Sequence, residues 1–266
     1  MMSPNDQREL IQLADLNLAA MIRHRMKMAP NGLLQEQDGV LLFTIGCPAA
    51  NGHLNGVLRV NDETDAVKIL DRARRFFQPL KRDFMVWVRD ERDDDLEQAL
   101  RDAGFTVDRE PGIPCMALQR RLDQVSPSAD IELRSVVSAE DVADYAQVMV
   151  AAFGMTNEVA RAVFGETESL VAPQVAAFIV HHNNVPVAAA MTLIAAKVAG
   201  IYFVGTVPEA RGRGLGEPAT RAATNAGFDL GAGAAILQAS VAGEPLYRRM
   251  GYQLLTRYRW YRSTMH

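Results

Sequence analysis

The stretch Val207-Pro208-Glu209-Ala210-Arg211-Gly212-Arg213-Gly214-Leu215-Gly216 constrains this chain more than any other. An apolar run, Ile201-Tyr202-Phe203-Val204, leads into it, and a helix-compatible segment, Pro218 to Phe228, follows. A strand, a glycine-rich turn with two arginines and a helix make a place to hold phosphates. Glycines remove Cβ atoms, so successive backbone N–H groups can converge on one anion. The first helical turn adds unpaired N–H donors and the positive end of the helix dipole. Arg211 and Arg213 can add charge-assisted hydrogen bonds to phosphate oxygens. A solvated surface loop would also be rich in glycine, but it would not need the flanking strand and helix.

Two familiar phosphate loops are excluded. A P-loop requires Lys and Ser or Thr after its last glycine, and the loop has neither. A dinucleotide fingerprint built on Gly212 and Gly214 requires a third glycine where Glu217 stands. What remains is Arg-x-x-Gly-x-Gly, read as Arg211, Gly214 and Gly216.

A second segment follows at a fixed distance: Leu237-Gln238-Ala239-Ser240, then Pro245-Leu246-Tyr247-Arg248-Arg249-Met250-Gly251-Tyr252. Together the two motifs resemble the GNAT superfamily of acyl-CoA-dependent N-acyltransferases, over about residues 130–262. The resemblance implies acetyl-CoA as co-substrate, with its pyrophosphate on Arg211, Gly212, Arg213, Gly214, Leu215 and Gly216. Backbone groups around Thr206 and Val207 would hold the thioester arm. Ser240, or Gly243, stands where the family often has an Asn that contacts this arm. Tyr247 takes the place of the family's general acid, although a tyrosine beside Leu246 is equally suited to a packed core. No base is assigned: the strand Ile201 to Thr206 lacks a carboxylate where many relatives have one, and Glu209 and Glu244 are the candidates. A base acting through water, or an amine already neutral at working pH, is equally allowed. Glu217 is expected to point away from the phosphates.

Composition narrows the remaining choices. With 48% hydrophobic and 23% charged residues, this is an ordinary globular chain, and a net charge of −4 argues against nucleic acid as partner. Cys47 and Cys115 are too few and too far apart for a disulfide framework or a zinc site. The five histidines show no metal-ligand spacing, and His181 and His182 read as part of a turn with Asn183 and Asn184. No metal is expected. Neither a signal peptide nor an apolar run of membrane-spanning length is evident, so a cytoplasmic protein is expected. The longest apolar run, Val185 to Val198, reads as a buried strand.

Hydrophobic spacing predicts helices over 5–28, 65–77 and 96–103 and strands over 39–45, 56–60 and 84–88. Asp90 to Asp95 reads as a solvated turn with a helix N-cap. Leu100 to Phe105 echoes Tyr247 to Tyr252, a short helix ending in Gly-aromatic, so the N-terminal half reads as a degenerate copy of the same fold. A polar linker near Leu122 to Asp130 separates the halves. After it the expected order is β-α-α-β-β-β-α-β-α-β-β. The expected architecture is α/β (α+β): two GNAT-like domains, each a mixed, mostly antiparallel sheet flanked by helices. Residues 1–125 would form the non-catalytic copy and residues 130–266 the N-acetyltransferase domain. The expected activity is transfer of acetyl from acetyl-CoA to a primary amine of a small molecule or peptide. A CoA-binding sensor or scaffold without turnover is the alternative. Apolar, aromatic strands are compatible with a homodimer.

Overall fold

The computed structural model describes residues 4–48, 52–90, 92–124, 128 and 130–263. The N-terminal half comprises α1 (Pro4–Met28), β1 (Leu33–Gln37), β2 (Val40–Thr44), β3 (Asn55–Arg59), α2 (Ala66–Phe77), β4 (Met85–Arg89), α3 (Asp94–Asp102), β5 (Thr106–Val107) and β6 (Ile113–Leu118). The C-terminal half comprises β7 (Ile131–Ser135), α4 (Ala139–Phe153), α5 (Asn157–Phe164), β8 (Val175–His182), β9 (Val185–Ala195), β10 (Val198–Thr206), α6 (Gly216–Asp229), β11 (Ala234–Gln238), α7 (Glu244–Arg249) and β12 (Gln253–Arg262). Local signals start several helices. Asp65 accepts from the N–H groups of Val67 and Lys68 at the head of α2, and Ser138 and Asp141 form a reciprocal capping box on α4.

The strands form one continuous sheet in the order β1-β2-β3-β4-β12-β6-β11-β10-β9-β8-β7, with β5 paired to β12. The two halves run outward from its centre in mirrored sequence. Each contains an antiparallel pair, then a helix, then a parallel partner: β2-β3-α2-β4 in one half and β9-β10-α6-β11 in the other. At the centre the halves exchange strands. Strand β12 pairs with β4 of the N-terminal half, and β6 pairs with β11 of the C-terminal half. The exchanged strands also pair with each other.

The exchange explains a departure from the expected strand order. Only one strand follows α7, because β6 supplies the neighbour that β11 needs. Strand β6 has no counterpart among the expected elements. It is buried along its whole length and contains Pro114, so it shows neither alternation nor a clean strand signature. The run Val185 to Val198 is not one strand. It turns at Ala196 and Lys197, whose φ values of 51° and 62° are uncommon for residues with side chains. His181 and His182 belong to strand β8, and the turn begins at Asn183. The charged run is solvated only in part: Asp94 and Asp95 are exposed, and Asp93 is the N-cap residue of α3, but its side chain does not cap the helix. Asp93 is fully buried and accepts from the backbone N–H of Arg89 (2.9 Å) and from its Nε (2.9 Å) and Nη2 (2.6 Å). Residues 125–127 and 129 of the expected linker lie outside the described residues.

Helix α6 covers one face of the C-terminal sheet, where Ile201, Leu237, Ala219, Ala223 and Tyr247 share an apolar cluster. Helices α1, α4 and α5 cover the other face. Helix α1 therefore reaches across from the N-terminal half, and Asn17 fixes it there. Its Nδ2 donates to the carbonyls of Leu193 (3.1 Å), Ala195 (3.2 Å) and Val198 (2.9 Å), and its Oδ1 accepts from the Tyr202 hydroxyl at 2.8 Å. Replacing Asn17 by Leu would leave these buried groups unpaired. The expected loss is about 2–3 kcal/mol of unfolding free energy, measurable by urea denaturation.

Candidate active site

Strand β10 is paired to β11 only from Val198↔Ala234 to Ile201↔Leu237, yet it continues to Thr206. A register shift against β9 between Tyr202 and Gly205 turns it aside, and Phe203 there has a φ of +48°. Bulges bend a strand and increase its local twist. The two parallel strands therefore part, leaving backbone groups of residues 202–206 on the β11 side without a sheet partner. A cleft between strand edges of this kind suits an extended, amide-bearing ligand.

The glycine loop sits where β10 ends. A single 3-10 turn, Pro208–Ala210, starts it, and buried Ala210 and Leu215 anchor it to the core beneath α6. Gly212 and Gly214 have φ values of +74° and +77°, and a Cβ on either would meet nothing within 4 Å. Backbone conformation, not crowding, requires glycine here, and the space beside both stays open. Gly216, the first residue of α6, lies against Thr206, whose Oγ1 would be 2.7 Å from an added Cβ.

The two arginines diverge. Arg211 donates from Nε to the Thr206 carbonyl (3.1 Å) and from Nη2 to the Ala152 carbonyl in the last turn of α4 (2.7 Å), tying the loop to the opposite layer. Arg213 reaches His182 Nε2 at 3.2 Å, and the same nitrogen lies 3.0 Å from Asp130. Glu217 pairs with Arg221 one turn along α6 at 2.5 Å, which draws its carboxylate along the helix flank. Among the described residues neither Arg211 nor Arg213 pairs with a carboxylate, so the loop keeps a local positive charge.

Ser240 accepts a hydrogen bond from the Gly243 N–H through Oγ (3.1 Å), so its hydroxyl closes the turn into α7. Tyr247 follows on α7. It is 7% exposed, its ring lies edge-on to Tyr252 at 6.0 Å, and its hydroxyl has no hydrogen-bond partner among the described residues. Burial pushes its pKa up to about 12, so the hydroxyl is a proton donor throughout the neutral range. Ala210, Leu215 and Tyr247 share the apolar cluster beneath α6, Val207 packs against that cluster, and Thr206 lies against Gly216 at the head of the helix. Glu244 pairs with Arg248 at 2.6 Å, and Glu209 is exposed.

Residues 147–252, which span the gap, the loop and α7, match the family model described as Acetyltransferase (GNAT) family. This region is a GNAT domain. No curated protein matches the chain. Solved structures similar to it include a GCN5-related N-acetyltransferase from Kribbella flavida, 21% identical with TM-score 0.73, covering 95% of each chain. A GCN5-related N-acetyltransferase from Sphaerobacter thermophilus is 16% identical with TM-score 0.64, covering 86% of this chain and 82% of its own. A tandem GNAT protein from the clavulanic acid biosynthesis pathway is 13% identical with TM-score 0.62, covering 97% of this chain and 95% of its own. At these identities the likeness establishes the fold, and it extends over both halves.

The far face of the GNAT domain's strand gap carries polar residues that motif reading passes over. Tyr202 is held by Asn17. Tyr258 of β12 donates to buried Asp15 of α1 at 2.6 Å, and Arg92 reaches the same carboxylate at 3.2 Å. Burial lifts the Asp15 pKa to about 6, against the pull of Tyr258, Arg89 and Arg92. None of these residues lies in a recognisable motif, because α1 and β12 bring them in from the two ends of the sequence. Among the described residues no group of three or more His, Cys, Asp or Glu side chains can hold a metal ion. The loop conformation makes its own test: Gly214→Ala retains open space but must adopt a positive φ. It should lose about 1 kcal/mol of stability in urea unfolding, with the fold unchanged by circular dichroism.

Proposed function

We propose that the C-terminal half is an acyl-CoA-dependent N-acetyltransferase that transfers acetyl from acetyl-CoA to a primary amine by direct attack. The observation that carries this reading is the parting of β10 from β11 directly before an open, positively charged glycine loop. The loop N–H groups and the head of α6 would take the pyrophosphate. Backbone groups of residues 202–206 other than the Phe203 and Thr206 carbonyls, which already accept from the Tyr145 hydroxyl and Arg211, would pair with the amide-bearing arm and orient the thioester carbonyl. Arg211, bonded to two carbonyls, would shape the loop, while Arg213 is placed at its rim. In the reaction the neutral amine nitrogen bonds to the carbonyl carbon, the carbon–sulfur bond breaks, and the amine gives up one proton to solvent, from which Tyr247 regains any proton it passes to the thiolate. The departing thiolate can take a hydrogen bond or proton from Tyr247. Both cysteines are buried, and burial pushes the Cys115 pKa up to about 12, which disfavours a route through a cysteine acyl-enzyme.

The N-terminal half supports a non-catalytic role. Its segment between β3 and α2, residues 60–65, holds Asp62, Glu63 and Asp65 in place of glycines and arginines. Asp65 already occupies the first N–H groups of α2, and Asp62 pairs with Arg89 and Arg92. A pyrophosphate there would meet like charge and find those donors occupied.

A CoA-binding sensor without turnover is favoured by the lack of a carboxylate on β10 from Ile201 to Thr206. Two measurements separate the readings. Isothermal titration should show acetyl-CoA binding that is lost in an Arg211→Ala, Gly214→Glu double variant; wild-type protein that binds neither acetyl-CoA nor CoA would defeat both readings. Tyr247→Phe should lower kcat about a hundredfold with little change in acetyl-CoA affinity, and unchanged turnover would remove Tyr247 from the mechanism. The pH profile gives a further check. The protonated hydroxyl is lost only as pH rises through about 12, so a Tyr247-dependent rate should show no alkaline decline attributable to this group at pH 8 to 10.

A further inference from the structure

Arg25, in the last turn of α1, is an unpaired cation beside the strand gap. Its Nε and Nη2 atoms are closed off from solvent and have no hydrogen-bond partner among the described residues. These two nitrogens form one edge of the guanidinium, the edge that receives a carboxylate or phosphate through two parallel hydrogen bonds. Among the described residues no carboxylate pairs with Arg25, and the titratable neighbour that acts on it is the Tyr202 hydroxyl. Burial lowers the Arg25 pKa to about 10, so the group remains charged at neutral pH. It makes a cation–π contact with the Phe203 ring, with Cζ 4.9 Å from the centroid. A cation–π contact of this kind offsets only about 0.5–2 kcal/mol of the burial of an unpaired charge.

The position of Phe203 gives this cation a direction. It is the residue with positive φ in the bulge that parts β10 from β11, and it faces α1 and α5, packing on Phe164 at 4.9 Å. The glycine loop and Tyr247 lie on the opposite, α6 face. A thioester entering from that side would present its carbonyl through the gap toward the side where Arg25 waits. On that reading an amine approaching from the α1 side would meet Arg25 beside Phe203.

Resting on the acetyltransferase reading, we propose that the acceptor is an amine that also carries an oxyanion, a carboxylate or a phosphate, and that Arg25 binds this group through its Nε/Nη2 edge once the acceptor displaces the side chains that close this edge off from solvent. The amine end is thereby aimed at the gap beside Phe203. The retained strain at Phe203 and the unpaired charge on Arg25 are both features that a binding site keeps and a simple core discards.

The test compares acceptors in matched pairs, with CoA thiol release as the readout: α-amino acids and β-alanine against their carboxamides, and O-phosphoethanolamine against ethanolamine. One oxyanion class should exceed its neutral partner about tenfold or more in kcat/KM, and which pair shows the gap assigns carboxylate or phosphate. Arg25→Gln should abolish that preference through KM for the acceptor, while titration confirms that acetyl-CoA still binds. The same variant should melt at a higher temperature than wild type, because it removes a buried unpaired charge. If acetyl-CoA binds but neutral amines react as well as anionic ones, or no anionic amine reacts, the acceptor assignment is wrong while the cofactor site stands. If Arg25→Gln keeps the preference and melts lower, Arg25 is a structural residue. Absence of acetyl-CoA binding would instead defeat the acetyltransferase reading on which the assignment rests.

Discussion

The exchange of β6 and β12 at the centre of the sheet is the constraint on which the rest of the molecule depends. Each half supplies the strand that completes the other, so neither sheet is finished by its own contiguous sequence. Strands β4 and β11 would otherwise present bare, apolar edges, which is an unfavourable state for hydrogen-bonding backbone. Because β12 also carries Tyr258 to Asp15, the exchange couples α1, the central strands and the strand gap into a single packed unit. The candidate site is built on that unit, with the loop on one face and α1 on the other.

Most of the fold was legible where local chemistry decides it. The strand–loop–helix around Gly214, the Gly-aromatic ends at Gly104 and Gly251, and the long helices all carry signals within a few residues. The two Gly-aromatic ends even share backbone bonds: Phe105 N–H to Leu100 and Tyr252 N–H to Tyr247, at 3.0 and 2.9 Å. The misreadings share a physical cause. A turn at Ala196-Lys197 contains no residue that favours left-handed backbone, and β6 is buried on both faces, so it has no alternation to detect. Asp93 looked like a solvated cap because nothing local reveals that Arg89 and Arg59 converge on it.

The site divides along the same line. Its proposed phosphate side is a sequence motif, since glycines at set intervals are needed for a backbone shape. The opposite side consists of Asn17, Arg25 and Tyr202, whose proximity depends on α1 crossing from the other half. Side chains recruited across that distance leave no spacing in the sequence. The proposed phosphate loop can thus be read from ten residues, whereas the proposed acceptor side comes together only when the fold is assembled.

The exchange also orders events during synthesis. Strand β4 pairs with β12 roughly 170 residues later in the chain, as the Asp90–Arg259 separation of 169 shows. Until those residues emerge, the N-terminal half carries an apolar strand edge that no nearby segment can cover. Long-range pairing of this kind slows folding and prolongs exposure of sticky surfaces. A chain with this topology therefore completes the edge of its N-terminal half-sheet only when its last strand is made.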